Sequence, residues 1–407
     1  MLFPLAAPLR RAGVGAAVTL LSAHYGGGVR GGGGGGGGAA CEALGASPVL
    51  RFGVIADVQY CDIEDACNFA GTERRGYRGS LDGARRAVVG FEAARSEPDG
   101  LAFVAQLGDL IDGQNACGYG ALVGEERRSD AALANVLGVL DGCGARYEHC
   151  VGNHELYNFS PGTLAAGPLN RGNHVVAGDG VGYRSFSPAE GWTFVVLDPY
   201  AVSAMRPEGS PGRAEAEAIL RAKNPNPVLD GQCDYFEGLE GPALRYVPFE
   251  RPRLIKIRSG THESRGILKS PLFPPRRFNG GLGADQLAWL ARTLDEAGRR
   301  GDAVVVLSHL PLYHEAASWR NVAYDAPDAA RVMAEAGNVC CVLAGHSHRG
   351  GFATDSAGIH HVTVEATLTH ETAFAVATCR SDGSLDLAGQ GAVPSRTFAP
   401  PSARVVA

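Results

Sequence analysis

The sequence has no surplus of positive charge. Its 37 Lys and Arg residues face 43 Asp and Glu, for a formal net charge of −6. That balance lacks the basic field a nucleic-acid-binding surface needs and suits a soluble enzyme acting on small molecules. Long hydrophobic runs are missing as well. The apolar stretch from Ala12 to Leu21 is too short to cross a bilayer, so no membrane partner is expected. The ten cysteines are scattered and none forms a Cys-x-x-Cys pair. This argues against a thiolate metal site and against a secreted disulfide framework, so a reduced compartment is expected. Cys340 and Cys341 lie inside an apolar run, where free cysteine behaves as a small hydrophobe.

The first part of the chain does not read as folded domain. Residues 1–46 contain Arg10, Arg11 and Arg30, the short apolar stretch and an unbroken glycine run from Gly31 to Gly38. The composition fits a targeting peptide followed by a flexible linker, or translated leader sequence in a GC-rich gene. The cytoplasm is the expected location, with a plastid, a mitochondrion or secretion as the alternatives such a leader allows.

What the sequence does contain is a series of short polar blocks, each placed after a short apolar, β-branched segment. Phe52 to Ala56 ends on Asp57-Val58-Gln59, and Leu101 to Leu107 ends on Gly108-Asp109. Ala145 to Val151 leads into Gly152-Asn153-His154-Glu155. Val304 to Leu307 precedes Ser308-His309, and Cys340 to Ala344 precedes Gly345-His346-Ser347-His348. Taken singly, each block has a plain reading: an Asp after a strand is usually a turn residue or a helix cap. Five blocks of oxygen and imidazole donors, all at strand ends, have no such reading. Donors at the carboxyl ends of several strands of an open α/β sheet converge on one crevice.

This ordered series resembles the calcineurin-like metallophosphoesterase superfamily. One block departs from that pattern, which usually reads Asp-x-His where this chain has Asp57-Val58-Gln59. The departure is similar to one branch, the manganese-dependent ADP-ribose/CDP-alcohol diphosphatases. Phe52 to Tyr60, Asn68 to Thr72, Gly152 to Phe159 and Phe278 to Gly281 also resemble that branch, and the likeness spans roughly residues 50–393. It implies an α/β fold, a four-layer α-β-β-α sandwich with two mixed sheets. It also implies two divalent ions, manganese first, with magnesium, iron or zinc as alternatives. Oxygen donors with some imidazole suit such ions better than a thiolate-loving metal.

By the same resemblance, Asp57, Gln59, Asp109 and His348 would hold one ion. Asp109, Asn153, His309 and His346 would hold the other, with Asp109 bridging. Two such ions, about 3.5–4 Å apart, activate water and neutralise charge on a phosphoryl group. The implied reaction is hydrolysis of a phosphoanhydride in a nucleotide diphosphate, ADP-ribose or a CDP-alcohol. His154 would stabilise or protonate the leaving oxygen, or else be a structural residue held by Glu155. Asp112 would orient a ligand from behind. Arg75 would contact the far phosphate, Phe69 would stack on the base, and Leu229 is a further pocket candidate. The bland alternatives are a solvated helix start for Arg74, Arg75 and Arg78, and core packing for Phe69. Rival functions are another phosphodiesterase or monoesterase on the same site, or a non-catalytic scaffold; the full donor set weighs against the scaffold. A monomer is expected.

Periodicity places strands at Leu50–Ala56, Leu101–Leu107, Trp192–Leu197, Val304–Leu307, Val339–Leu343 and His361–Val364. Helices are expected over Tyr77–Arg95, Asp130–Leu140 and Asp285–Arg300. The alternation predicts a mostly parallel sheet core. Residues 47–393 form the expected catalytic domain and 394–407 a tail. Within the domain, 250–278 reads as an insertion, basic and proline-rich with no clear period: a surface loop, retained non-coding sequence, or a basic lid. Arg349, directly after the last block, is a further departure that changes the charge near the metals.

Overall fold

The computed structural model describes residues 46–67, 73–116, 127–170, 175–176, 182–224, 229 and 276–401. The leader, Phe69 and nearly all of the 250–278 insertion lie outside the described residues. From Ala46 on, the chain forms one compact unit. In order come β1 (Pro48–Ile55), the short strands β2 (Ala66–Cys67) and β3 (Arg74–Arg75), and α1 (Ser80–Arg95). They are followed by β4 (Phe103–Gln106), α2 (Ser129–Leu140), β5 (Tyr147–His149), α3 (Asn153–Asn158) and α4 (Pro161–Ala166). Next are β6 (Val175–Val176), β7 (Gly182–Ala189), β8 (Trp192–Val196), α5 (Pro211–Lys223), α6 (Gly283–Arg300) and β9 (Ala303–Ser308). Then come α7 (Ala326–Ala336), β10 (Val339–Ala344), β11 (Gly351–Thr354), β12 (His360–Thr363), β13 (Ala373–Arg380), β14 (Leu385–Gly391) and β15 (Arg396–Phe398).

Two mixed sheets result, ordered β15-β14-β13-β1-β4-β5 and β11-β12-β10-β9-β8-β7-β6. The centre of each is parallel: β1, β4 and β5 in one, β12, β10, β9 and β8 in the other. The mostly parallel expectation therefore holds for the middle and fails at the flanks. There β13, β14 and β15 add antiparallel strands to the first sheet, and β11, β7 and β6 to the second. The expected tail is corrected too. Arg396, Thr397 and Phe398 pair with Leu387, Asp386 and Leu385, and Phe398 is fully buried.

The layering follows from strand alternation. Along β9, Val305 and Leu307 join Phe52, Val54, Phe103 and Phe194 in a core between the sheets. The intervening Val304 and Val306 face outward to Leu290 and Leu294 of α6 and Met333 of α7. On the first sheet, Val104 and Ile55 face outward to Phe91 of α1 and Val136 of α2. Three stacked apolar clusters thus make four layers, α-β-β-α. Phe52, Phe103 and Phe194 form the inter-sheet anchor, with ring centroids 5.0–5.2 Å apart. Fully burying each such side chain contributes about 1.5–3 kcal/mol. Cys340 and Cys341 lie in the same inter-sheet cluster as free thiols. Among the described residues no helix is long and apolar enough to cross a membrane.

Because β1, β4, β5, β9 and β10 run parallel within their sheets, the polar blocks that follow them emerge at strand carboxyl ends. Backbone hydrogen bonds stitch the emerging loops together. Gln59 N donates to Asp109 O at 2.9 Å, Leu368 N to Asp57 O at 2.9 Å, and Gly345 N to His309 O at 3.0 Å.

Candidate metal centre

Among the described residues, four non-glycine residues have positive φ: Asp57 (49°), Gln59 (42°), Asp109 (56°) and His346 (66°). All four were singled out as metal ligands from the sequence. The left-handed conformation costs about 1–2 kcal/mol per residue, so the surrounding fold must impose it. It turns each side chain back over the strand ends.

The glycines of the motifs are dictated by closeness. A Cβ at Gly152 would lie 2.1 Å from Asp109 Oδ1, and one at Gly108 2.3 Å from His309 Nδ1. Gly108 also has φ +97°, which suits glycine alone. The Glu155 carboxylate ties these turns together. It accepts hydrogen bonds from the backbone N–H groups of Gly152 (2.8 Å), Asp109 (2.8 Å) and Leu110 (2.6 Å). It does not hold His154, as the sequence reading allowed. Its partners are backbone amides that lie beyond the strand ladders, and this clamps the Asp109 loop onto the start of α3.

Three histidines converge, each with one ring nitrogen anchored. His309 Nδ1 lies 2.7 Å from the Leu107 carbonyl, which can only accept, so Nδ1 carries the proton and Nε2 is a lone pair. His346 Nε2 lies 3.0 Å from Asn279 Oδ1. The Asn279 amide is oriented by donating from Nδ2 to the carbonyls of Arg320 and Val322, so His346 Nε2 is the donor and Nδ1 the lone pair. His348 Nδ1 lies 3.1 Å from the Glu73 carboxylate, which leaves Nε2 facing inward. Anchoring the far nitrogen to a carbonyl, an amide oxygen or a carboxylate is how metal-binding histidines are held. Sequence reasoning did not assign these roles to Glu73 and Asn279.

The inward-facing atoms crowd together. His309 Nε2 is 3.2 Å from His346 Nδ1, 3.3 Å from Asp109 Oδ2 and 3.3 Å from Asn153 Oδ1. Asn153 Oδ1 also accepts from the buried Tyr200 hydroxyl at 3.2 Å. Asp109, His309 and His346 offer donor atoms within 4.8 Å of one another. Lone pairs at these distances repel unless a cation or proton lies among them. Without a cation the cluster draws a proton. Burial would lower His309, but the Asp109 carboxylate and then Asp57 raise it to about 9. Burial and the neighbouring His309 drive His346 far down. Burial likewise works against the Asp109 carboxylate, but His309 and His154 reverse this and hold it well below the usual carboxylate range.

Beside this set lie Asp57, Gln59 and His348. Asp57 accepts from the His346 backbone N–H at 3.0 Å, and burial pushes its carboxyl up to about 6. The Gln59 amide nitrogen donates to Asp109 Oδ2 at 2.9 Å and faces His348 Nε2 at 3.0 Å. Gln59 Oε1 is buried with no hydrogen-bond partner. That orphaned oxygen is the atom a hard cation would take, and a half-turn of the amide brings it among the other donors. The residues present therefore fit two divalent ions, Asp109 being common to both sets.

His154 stands at the edge of the cluster, its Nε2 4.0 Å from Asp109 Oδ2. The Gly113 backbone N–H donates to His154 Nδ1 at 2.8 Å, which makes Nδ1 an acceptor and puts the proton on Nε2, facing the site. Asp112 Oδ2 is 3.3 Å from the same Nδ1. Burial lowers the basicity of this ring, but Asp109 and Asp112 together raise it. Asp112 thus attends His154 and not a metal-facing residue.

Of the arginines after Glu73, Arg74 pairs with Asp65 and Arg78 with Asp62 and Glu64 at the surface. Arg75 turns inward, with its guanidinium 3.9 Å from Asp112. Leu229 packs with Ala204, Leu220 and Tyr324 in a small apolar cluster.

No family model matches the chain. It is 34% identical over 362 residues to the manganese-dependent ADP-ribose/CDP-alcohol diphosphatase of Danio rerio, covering 86% of this chain and 98% of that relative. The proteins of the same name from Homo sapiens and Arabidopsis thaliana are each 32% identical, over 87% and 79% of this chain and 94% and 87% of their own length. The crystal structure of a dimetal phosphatase from Danio rerio superposes with a TM-score of 0.70 at 34% identity, covering 88% of this chain and all of that one. The chain belongs to the family of manganese-dependent ADP-ribose/CDP-alcohol diphosphatases.

Proposed function

We propose that this protein hydrolyses the phosphoanhydride of ADP-ribose to AMP and ribose 5-phosphate, and that of CDP-alcohols to CMP and the phospho-alcohol, with manganese as cofactor. The observation that carries the reading is the set of facing lone pairs on His309, His346, Asp109 and Asn153, beside Asp57, Gln59 and His348. Asp57, Gln59, Asp109 and His348 would hold one ion, and Asp109, Asn153, His309 and His346 the other. Two bound divalent ions would neutralise the diphosphate and render water nucleophilic at neutral pH. The chain's own part is to aim the substrate and to place a hydrogen-bond donor at the leaving oxygen. His154 presents its Nε2–H to the bridging oxygen and stabilises the charge that develops there as its bond to phosphorus breaks, while the Gly113 N–H fixes the ring from its Nδ1 side. Arg75 offers a fork of donors to the second phosphate.

Metal-stripped protein with manganese or magnesium added back tests this on ADP-ribose and CDP-choline. AMP and CMP should appear with manganese and vanish in Asp109→Ala. Turnover of a simple aryl phosphate alone would move the protein to the monoesterases.

A further inference from the structure

Tyr200, just past the carboxyl end of β8, is fully buried in the apolar cluster that α6 and α7 cover. Its ring lies 6.1 Å from that of His309. Its hydroxyl donates to Asn153 Oδ1 at 3.2 Å and, among the described residues, has no other hydrogen-bond partner. This contact decides which end of the Asn153 amide faces the donor cluster. Oδ1 also lies 3.3 Å from the lone pair on His309 Nε2, which by itself would draw the amide N–H instead. A half-turn of the amide would satisfy His309 but leave the buried Tyr200 O–H without an acceptor, and a buried donor left unpaired is costly. Only the oxygen end of an amide offers lone pairs to a cation.

The tyrosine is held in turn by its backbone. Tyr200 N donates to Asp198 Oδ1 at 3.0 Å, and Gln286 of α6 grips the N–H and the carbonyl of Asp198 at 2.9 and 2.8 Å. Two residues on, Val202 and Gly281 exchange backbone hydrogen bonds at 3.0 and 2.8 Å, and Ser203 Oγ donates to the Asn279 carbonyl at 3.1 Å. Asn279 anchors His346. Two segments bonded to each other thus carry the supports of Asn153 and of His346, and both ligands belong to the same ion.

We propose that Tyr200 is a positioning residue for one of the two ions, that of Asn153, His309 and His346. Its hydroxyl keeps the Asn153 amide oxygen turned toward that ion, and its burial keeps it from touching the substrate. The inference rests on the two-ion reading of the site and is independent of which diphosphate is cleaved.

The test is calorimetric titration of manganese into the metal-stripped full chain, where wild type should take up two ions. Tyr200→Phe removes the hydroxyl and keeps the ring. One dissociation constant should rise about 10- to 100-fold, the loss typical of an outer partner of a ligand, and the other should stay at its wild-type value. Asn153→Ala identifies the affected site, because it removes the amide itself. On that background Tyr200→Phe should cost nothing further, since the hydroxyl acts only through the amide. Tyr147→Phe removes another buried hydroxyl, 3.2 Å from Cys143 Sγ, and should leave both constants unchanged. Unaltered binding in Tyr200→Phe overturns the proposal. So does an equal weakening of both sites, or a further loss on the Asn153→Ala background. A wild type that binds fewer than two manganese ions fails the two-ion reading, and the inference falls with it. A wild type that binds two ions but cleaves neither ADP-ribose nor CDP-choline fails the proposed activity alone, and the binding constants still decide the role of Tyr200.

Discussion

His309 Nε2 and His346 Nδ1 face each other at 3.2 Å, and both are lone pairs because each ring donates its other N–H to a fixed oxygen. No hydrogen bond can form between two acceptors, so the contact is stable only around a cation or an intruding proton. Thermal unfolding of chelated protein with manganese added back measures this. At a hundred times its dissociation constant, a ligand that binds only the folded state adds about 2.7 kcal/mol of stability. A rise in Tm of a few degrees is expected for wild type, and much less for His309→Ala. A wild-type Tm indifferent to manganese would remove the case for a cation here.

Glu155→Gln should be among the most damaging near-isosteric changes in the chain. The carboxylate accepts three backbone N–H groups. An amide at that position must aim N–H at N–H on one side, which leaves buried amides unsatisfied. A loss of about 1–3 kcal/mol is expected for each buried group left unpaired. Manganese affinity should fall in parallel, since Asp109 and Asn153 lie on the two segments the clamp joins. Unchanged denaturant midpoint and metal affinity would show that the clamp is dispensable.

His154→Asn separates stabilisation of the leaving oxygen from metal binding. The ring lies beside the cluster, with Nε2 4.0 Å from Asp109 Oδ2 and Nδ1 occupied by Gly113. Loss of a positioned donor to developing charge lowers kcat about 10²- to 10³-fold. Metal content by elemental analysis should stay at the wild-type level. Asp112→Asn should give a milder loss in kcat. If His154→Asn lost manganese and kept kcat on reloading, His154 would be a ligand and not the donor to the leaving oxygen.

The sequence made the metal-facing residues legible and left their supports hidden. Asp57, Asp109, His309 and His346 each end an apolar β-branched run, and that local pattern survives without the fold. Glu73, Asn279 and Tyr200 have no such signature. Glu73 reaches His348 across 275 positions and Asn279 reaches His346 across 67. Only sheet order brings them together. The same limit explains the antiparallel flank. β13, Ala-Phe-Ala-Val-Ala-Thr-Cys-Arg, is buried along most of its length because the inter-sheet core covers one face and α1 the other, so it shows no alternation to read. His154 and Glu155 are neighbours in sequence but point into different networks, which adjacency alone suggested otherwise.

Asn279 tests whether the hidden supports matter to the metal. Its side chain fixes the His346 tautomer by accepting from Nε2, and it is itself held by donating to Arg320 O and Val322 O. Asn279→Ala removes the acceptor, so His346 loses both its orientation and the bias that keeps its lone pair on Nδ1. Removing such an outer partner typically weakens metal binding 10–100-fold. Asn279→Asp keeps the acceptor and adds negative charge, but loses the two donors that orient the group. Competition with a fluorescent chelator should therefore rank manganese affinity as wild type, then Asn279→Asp, then Asn279→Ala. A merely structural role predicts a different order. Both variants lose the same two backbone hydrogen bonds, so both would lose stability alike and neither would be favoured in metal binding. Equal affinities for the two variants, each reduced in proportion to its Tm, would show that Asn279 serves the loop and not the ring of His346.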